Sequence, residues 1–183
     1  MKAAVSVLRA AAALLVAAAA ALALYFFCVL PYRCNVVKKA RLGSTNFALE
    51  NSATAAGRVA ARRNLEAFAP CLNELCRDVS VDMLAAANYR IVNRPAEAIP
   101  LYYDALGRDT RPEIYLNLAA AELMLGDRRA ARDHALRATL FNTGMIANID
   151  DGLLRAETAR ELIRLHPEKA DLIRYFQNFG ATQ

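Results

Sequence analysis

Residues 79–110, VSVDMLAAANYRIVNRPAEAIPLYYDALGRDT, and residues 111–143, RPEIYLNLAAAELMLGDRRAARDHALRATLFNT, decide the fold. Set 33 residues apart, they repeat one pattern: Ala86, Asn93, Ala98, Ala105 and Thr110 recur as Ala119, Gly126, Ala131, Ala138 and Thr143. Each stretch holds two helical patterns joined by a short polar turn. The alanines fall where two antiparallel helices would cross closely, leaving bulkier neighbours to interlock around them. A unit of this length cannot bury its apolar face alone and must stack on a neighbour.

The pattern resembles the tetratricopeptide repeat (TPR), a helix-turn-helix unit of about 34 residues. In the second copy Tyr115 stands where the family often has tryptophan, followed by Leu118, Ala119, Gly126 at the turn, Ala131 and Ala138. In the first copy Tyr89, Ala98, Tyr102, Ala105 and Leu106 fit. The departures are Asn93 for the turn glycine, Glu122 for an aromatic and Thr143 for a closing proline. Asn tolerates left-handed backbone better than most residues, so Asn93 is a mild departure. The resemblance implies an all-α fold with a short TPR-like helical-hairpin solenoid and C-terminal capping helices; the apolar N-terminal run adds one transmembrane helix ahead of it. An ordinary helical bundle with aligned alanines is the alternative. In a solenoid the first helix of each unit lines the inner groove. The expected protein-binding positions are therefore Asn88, Tyr89, Asn117, Ala121 and Glu122, with Met83 nearby. Some family members grip a C-terminal carboxylate in this groove. Asn117 matches one such position, but Met83 and Ala87 stand where Lys and Asn are required, so that clamp is not expected.

Ala10 to Leu30 is an uninterrupted run without charge. As a helix it spans about 31 Å, the thickness of a bilayer's hydrocarbon core. Leu14, Leu15, Leu22 and Leu24 supply its bulk, and Tyr25, Phe26, Phe27 and Tyr32 cluster at its far end, where aromatic rings favour the interface. Pro31 is a natural stop. A cleaved signal peptide is the rival, yet the run continues past every small-residue cleavage site, so an uncleaved signal-anchor is expected. The basic flanks alone favour a cytoplasmic domain. The very short N-terminal tail and the cysteines point to export, and a bacterial inner membrane with a periplasmic domain is the expected location.

The formal net charge is +5. Between Pro31 and Ala69, Arg33, Lys38, Lys39, Arg41, Arg58, Arg62 and Arg63 face only Glu50 and Glu66, so that stretch carries +5; residues 1–30 carry +2 and the remainder −2. This basic stalk suits anionic lipid head groups, an acidic partner surface or plain solvation. Nucleic-acid binding is not expected, because no aromatics interleave with the basic residues and no reader motif appears.

The expected organisation is a membrane anchor over 1–31, a basic linker over 32–45, a helical stalk over 46–78, two repeats over 79–143 and capping helices over 144–183. Gly43-Ser44-Thr45 reads as the joint between stalk and domain. Phe47, Ala48, Val59, Leu65 and Phe68 are the core candidates of the stalk, with Asn51-Ser52 and Gly57 as weak points. Asp82 is expected to cap the first repeat helix, and Asp150 or Asp151 a later one. No run alternates with period two, so no sheet is expected.

Cys71 and Cys76 frame a short segment after Pro70. In a regular helix residues five apart point away from each other, so a Cys71–Cys76 disulfide needs the helix broken there and an oxidising compartment. Reduced half-buried thiols are the alternative, and Cys34 is left unpaired or bridging a partner. His134 and His166 lie at no ligand spacing, and no phosphate loop, nucleophile elbow or zinc-protease motif occurs. No cofactor, metal or catalysis is expected. The chain reads as an accessory subunit or assembly factor of a larger inner-membrane complex, bound to other membrane-complex proteins and to the bilayer. A chaperone-like module near a translocation channel and a cell-envelope enzyme with a docking arm are the alternatives, and a mitochondrial outer-membrane receptor shares the layout.

Overall fold

The structure, a computed structural model, describes residues 2–72 and 76–179, with side chains from residue 9 onward. It is all-helical, and no strand occurs among the described residues. Helix α1 (Lys2–Leu24) passes through a π-helical turn (Tyr25–Val29) directly into α2 (Leu30–Glu50). Then follow α3 (Ala55–Phe68), α4 (Val79–Ile91), α5 (Pro95–Leu106), α6 (Pro112–Met124), α7 (Arg128–Phe141), α8 (Gly152–Leu165) and α9 (Ala170–Phe179). From α2 to α9 each helix packs on the next in sequence, and α4 also packs on α2 and on α6.

Pro31 does not stop the helix, contrary to the expectation from sequence. Proline lacks an N–H and its ring crowds the carbonyl four residues back. The π-helical turn absorbs both problems: the Leu30 N–H reaches back five residues to the Tyr25 carbonyl, and Pro31 falls in the first turn of α2. The basic linker expected over 32–45 is therefore helix, and so is the joint at Gly43-Ser44-Thr45. Among the described residues, one helix is long and apolar enough to cross a membrane, within Arg9–Glu50. Leu14, Leu15, Leu22, Leu24, Phe27 and Tyr32 point outward from it with no protein against them.

The stalk breaks at Asn51-Ser52, one of its two weak points, while Gly57 lies inside α3. Asn51–Thr54 turn the chain, and the Thr54 hydroxyl caps α3 by accepting from the Gly57 N–H at 3.0 Å. Gly57 lies so close to the Asn51 backbone that a Cβ would sit 2.6 Å from the Asn51 carbonyl carbon. The faces that meet are those of Thr45, Ala48, Ala61, Asn64 and Phe68, all buried. Phe47 and Val59, expected in this core, are exposed on the opposite side.

The two 33-residue stretches fold into matching helix pairs. Helices α4 and α6 start 33 residues apart, as do α5 and α7. Ala86, Ala98 and Ala105 are buried, and so are Ala119, Ala131 and Ala138. Asn93 (φ 60°) and Gly126 (φ 82°) both hold left-handed backbone at the turn. At each turn the following N–H bonds five residues back, Arg94 to the Tyr89 carbonyl and Asp127 to the Glu122 carbonyl, the Schellman closure that left-handed residues permit. The main core joins Leu30 and Cys34 of α2 and Phe68 of α3 to Tyr102 of α5 and Ile114 of α6. Further clusters form between α6, α7 and α8 and between α8 and α9.

Asp82 does not cap α4. Asp78 does, accepting from the Val81 N–H at 2.8 Å, while Asp82 lies one turn inside and fully buried. There it accepts from Arg77 Nε at 2.7 Å and Arg108 Nη1 at 2.9 Å, tying the start of α4 to the end of α5. Burial pushes the Asp82 carboxyl above its ordinary value, although Arg77 and Arg108 pull the other way. Asp151 caps α8 through the Leu154 N–H.

Candidate docking groove

Three of the five groove positions expected from the repeat are interior. Asn88, Ala121 and Glu122 are buried. Asn88 is occupied within the fold: its amide donates to Thr45 Oγ1 at 3.0 Å and to the Leu84 carbonyl at 2.7 Å, and its carbonyl accepts from Asn64 Nδ2 at 3.1 Å. This network joins α2, α3 and α4. Glu122 accepts a contact from His134 Nδ1 at 2.8 Å, and His134 lies stacked along Tyr115. Tyr89 is half-buried with the Arg94 guanidinium 5.1 Å above its ring, and Asn117 is half-buried. Ala121 lies in the main core and Glu122 sits beneath His134 and Tyr103; for Asn88 the physical reason is the first hairpin. Because α2 is a packed helix rather than a linker, α4 has neighbours on three sides, and the face carrying Asn88 is covered.

The face left open lies one step around the helices. Two hollows, of about 220 and 460 Å³, run together along α4, α6 and the approach to α8, sharing Arg90, Met124 and Asp150. Their floor is aliphatic: Ala87 and Ile91 from α4, Ala120 and Leu123 from α6, and Ile149 with Leu154 at the far wall. Ala87 and Ala120, Arg90 and Leu123, and Ile91 and Met124 are each 33 residues apart, so the repeat itself carried the signal for this face. Arg90 crosses the middle; its Nη1 donates to Asn117 Oδ1 at 2.8 Å, and its Nε is buried without a partner among the described residues. Asp150 stands exposed on one rim and Arg58 on the other. An aliphatic floor crossed by Arg90 and rimmed by Asp150 and Arg58 suits recognition of a complementary surface by apolar burial and charge.

The basic stalk divides. Lys38 is bound to Asp78 at 2.6 Å, drawing α2 to the start of α4. Among the described residues Arg33, Lys39, Arg41, Arg58, Arg62 and Arg63 make no ion pair; of these Arg41 is half-buried and the others are exposed. Cys28 is exposed on the apolar helix, whereas Cys34, Cys71 and Cys76 are buried; no disulfide joins the four. Of the segment framed by Cys71 and Cys76, residues 73–75 lie outside the described residues. Among the described residues no group of three or more His, Cys, Asp or Glu is placed to hold a metal ion. The chain matches no family model, no curated protein and no solved structure.

Proposed function

We propose that the chain is a non-catalytic, membrane-anchored repeat protein that docks another protein of the same membrane in the groove between α4, α6 and α8. On this reading the helix pairs form a short TPR-like solenoid. The protein serves as an accessory subunit or assembly factor of a larger bacterial inner-membrane complex, with its domain in the periplasm. The observation that carries the proposal is the unbroken run from α1 into α2. A docking face attached by one continuous helix is held at a fixed height above the bilayer. That restricts the search for a partner already embedded beside it and raises the effective concentration. The short groove suits a folded neighbour better than a long peptide.

The basic residues take separate roles by height. With α2 upright, Arg33 stands about 5 Å and Lys39 about 14 Å beyond Leu30, by 1.5 Å per residue. Arg62 and Arg63 lie near the level of Thr45, which Asn64 reaches at 3.3 Å, and so stand about 23 Å out. Head groups extend only about 5–7 Å past the hydrocarbon core, and screening acts over about 8 Å. Arg33 and Lys39 can therefore meet anionic lipid, while Arg58, Arg62 and Arg63 are left for an acidic protein surface. The test is a photoreactive residue in place of Met124, activated in intact membranes. One stoichiometric adduct with a membrane protein is expected. Many faint adducts favour a client-holding chaperone, and none refutes the groove as a docking face.

A further inference from the structure

Cys34, Cys71 and Cys76 come from three places in the chain and share one corner of the main core. Cys34 lies on the first turns of α2, Cys71 follows α3 and Cys76 precedes α4. All three are buried, with Cys76 the most accessible. Cys34 packs in the same cluster as the other two, and burial, with the neighbouring Cys71 thiol, holds its own thiol above the ordinary value. Cys34 and Cys76 also line a single hollow of about 280 Å³ between Pro31 and Val81, beside the Lys38–Asp78 ion pair. A reagent entering there reaches these two residues and not Cys71, which does not line the hollow.

We infer that Cys34 and Cys76 are a disulfide-forming pair that clamps α2 to the segment entering α4. The sequence offered a local Cys71–Cys76 bridge only if the helix broke between them; the fold brings in a third cysteine from the helix that continues the membrane span. The oxidant is of the disulfide class, small-molecule or protein. Cys76 loses its proton and attacks one sulfur of the oxidant, whose other half leaves as a thiol. Cys34 then loses its proton and displaces the second half, also as a thiol. Two protein thiols have given up two electrons and two protons, and the oxidant has become two thiols. Burial and the neighbouring Cys34 push the Cys76 thiol up to about 11, so closure is slow at neutral pH. Once formed, the bond prevents α2 and α4 from separating at the membrane side of the domain.

The full-length protein, purified in mild detergent and freed of reductant, is incubated with oxidised glutathione. Remaining thiols are alkylated, and the chain is digested without reduction. Cleavage after Glu74 separates Cys71 from Cys76. The expected product is a linked peptide joining Cys34 to Cys76, reversed by dithiothreitol, kept in Cys71→Ser and lost in Cys34→Ser and Cys76→Ser. Should a variant fail to fold, the wild-type peptide map alone decides. A dominant Cys71–Cys76 or Cys34–Cys71 bond, a bond between two chains, or only glutathione adducts and unreacted thiols would overturn the inference.

Discussion

Replacing Asn88 by Ala separates a residue that holds the fold together from one that faces a groove. In the structure the Asn88 side chain makes three hydrogen bonds, to Thr45, Asn64 and the Leu84 carbonyl, and is fully buried. Each neutral bond contributes about 0.5–1.5 kcal/mol net. Thr45 and Asn64 keep their bond to each other, so neither is fully stranded. The Leu84 carbonyl lies four residues back on the same helix and retains its backbone partner, so that bond adds little. Two effective bonds plus a small void put the loss at about 2–3 kcal/mol. For a folded unit of this size that lowers the melting midpoint by about 5–10 °C. The assay is thermal or urea unfolding of the full chain in detergent, followed by far-UV circular dichroism and by tyrosine signal. An exposed polar residue on a groove changes stability by less than about 0.5 kcal/mol. A loss that small would refute the placement of α2 and α3 against α4.

Two glycines on neighbouring helices should respond in opposite directions. Gly43 has nothing within 4 Å of where a Cβ would stand, so Gly43→Ala should stabilise by about 0.5–1 kcal/mol; Gly57→Ala drives a methyl into the Asn51 backbone and should cost about 2–3 kcal/mol, both read from urea midpoints. Removing Asp82 leaves Arg77 and Arg108 without their shared buried carboxylate. Because both arginines keep some solvent, Asp82→Ala should cost about 2–3 kcal/mol, and loss of less than about 0.5 kcal/mol would show that the pair does not hold α4 to α5. Asp78 is raised by burial but lowered further by Lys38 and the Val81 N–H, ending below its ordinary value of 3.8. Its contribution is thus present above pH about 4 and lost as pH falls through the depressed folded value. Asp78→Asn should weaken that acid dependence in a pH series of unfolding midpoints.

The turns and crossings were legible because they depend on local chemistry. Asn93 and Gly126 had to be residues that accept left-handed backbone, and the alanines had to be small. Asp151 could be placed as a cap for the same reason, whereas the Thr54 cap of α3 carried no distinct signal in the sequence. The junction at Pro31 was misread because a single π-helical turn reroutes the hydrogen bonds that proline removes, and no residue type marks such a turn. The covered face of Asn88 was not legible for a related reason: the rule that the first helix of each repeat lines a groove says nothing of α2 and α3, which pack over that face of α4. Phe47 and Val59 show the same limit, since the partner helix chose Ala48 and Ala61 as the contact face. Cys34 could not be joined to Cys76 from spacing, because 41 residues separate them and only the α2–α4 contact brings them together.

The central claim is that a docking face is held at fixed height by one helix running from the bilayer into the domain. Amide hydrogen exchange of the full chain in lipid nanodiscs tests it directly. Protection should continue without interruption from Tyr32 through Ala48. Rapid exchange across residues 32–45, with protection resuming only beyond them, would mean a flexible tether and would contradict the account.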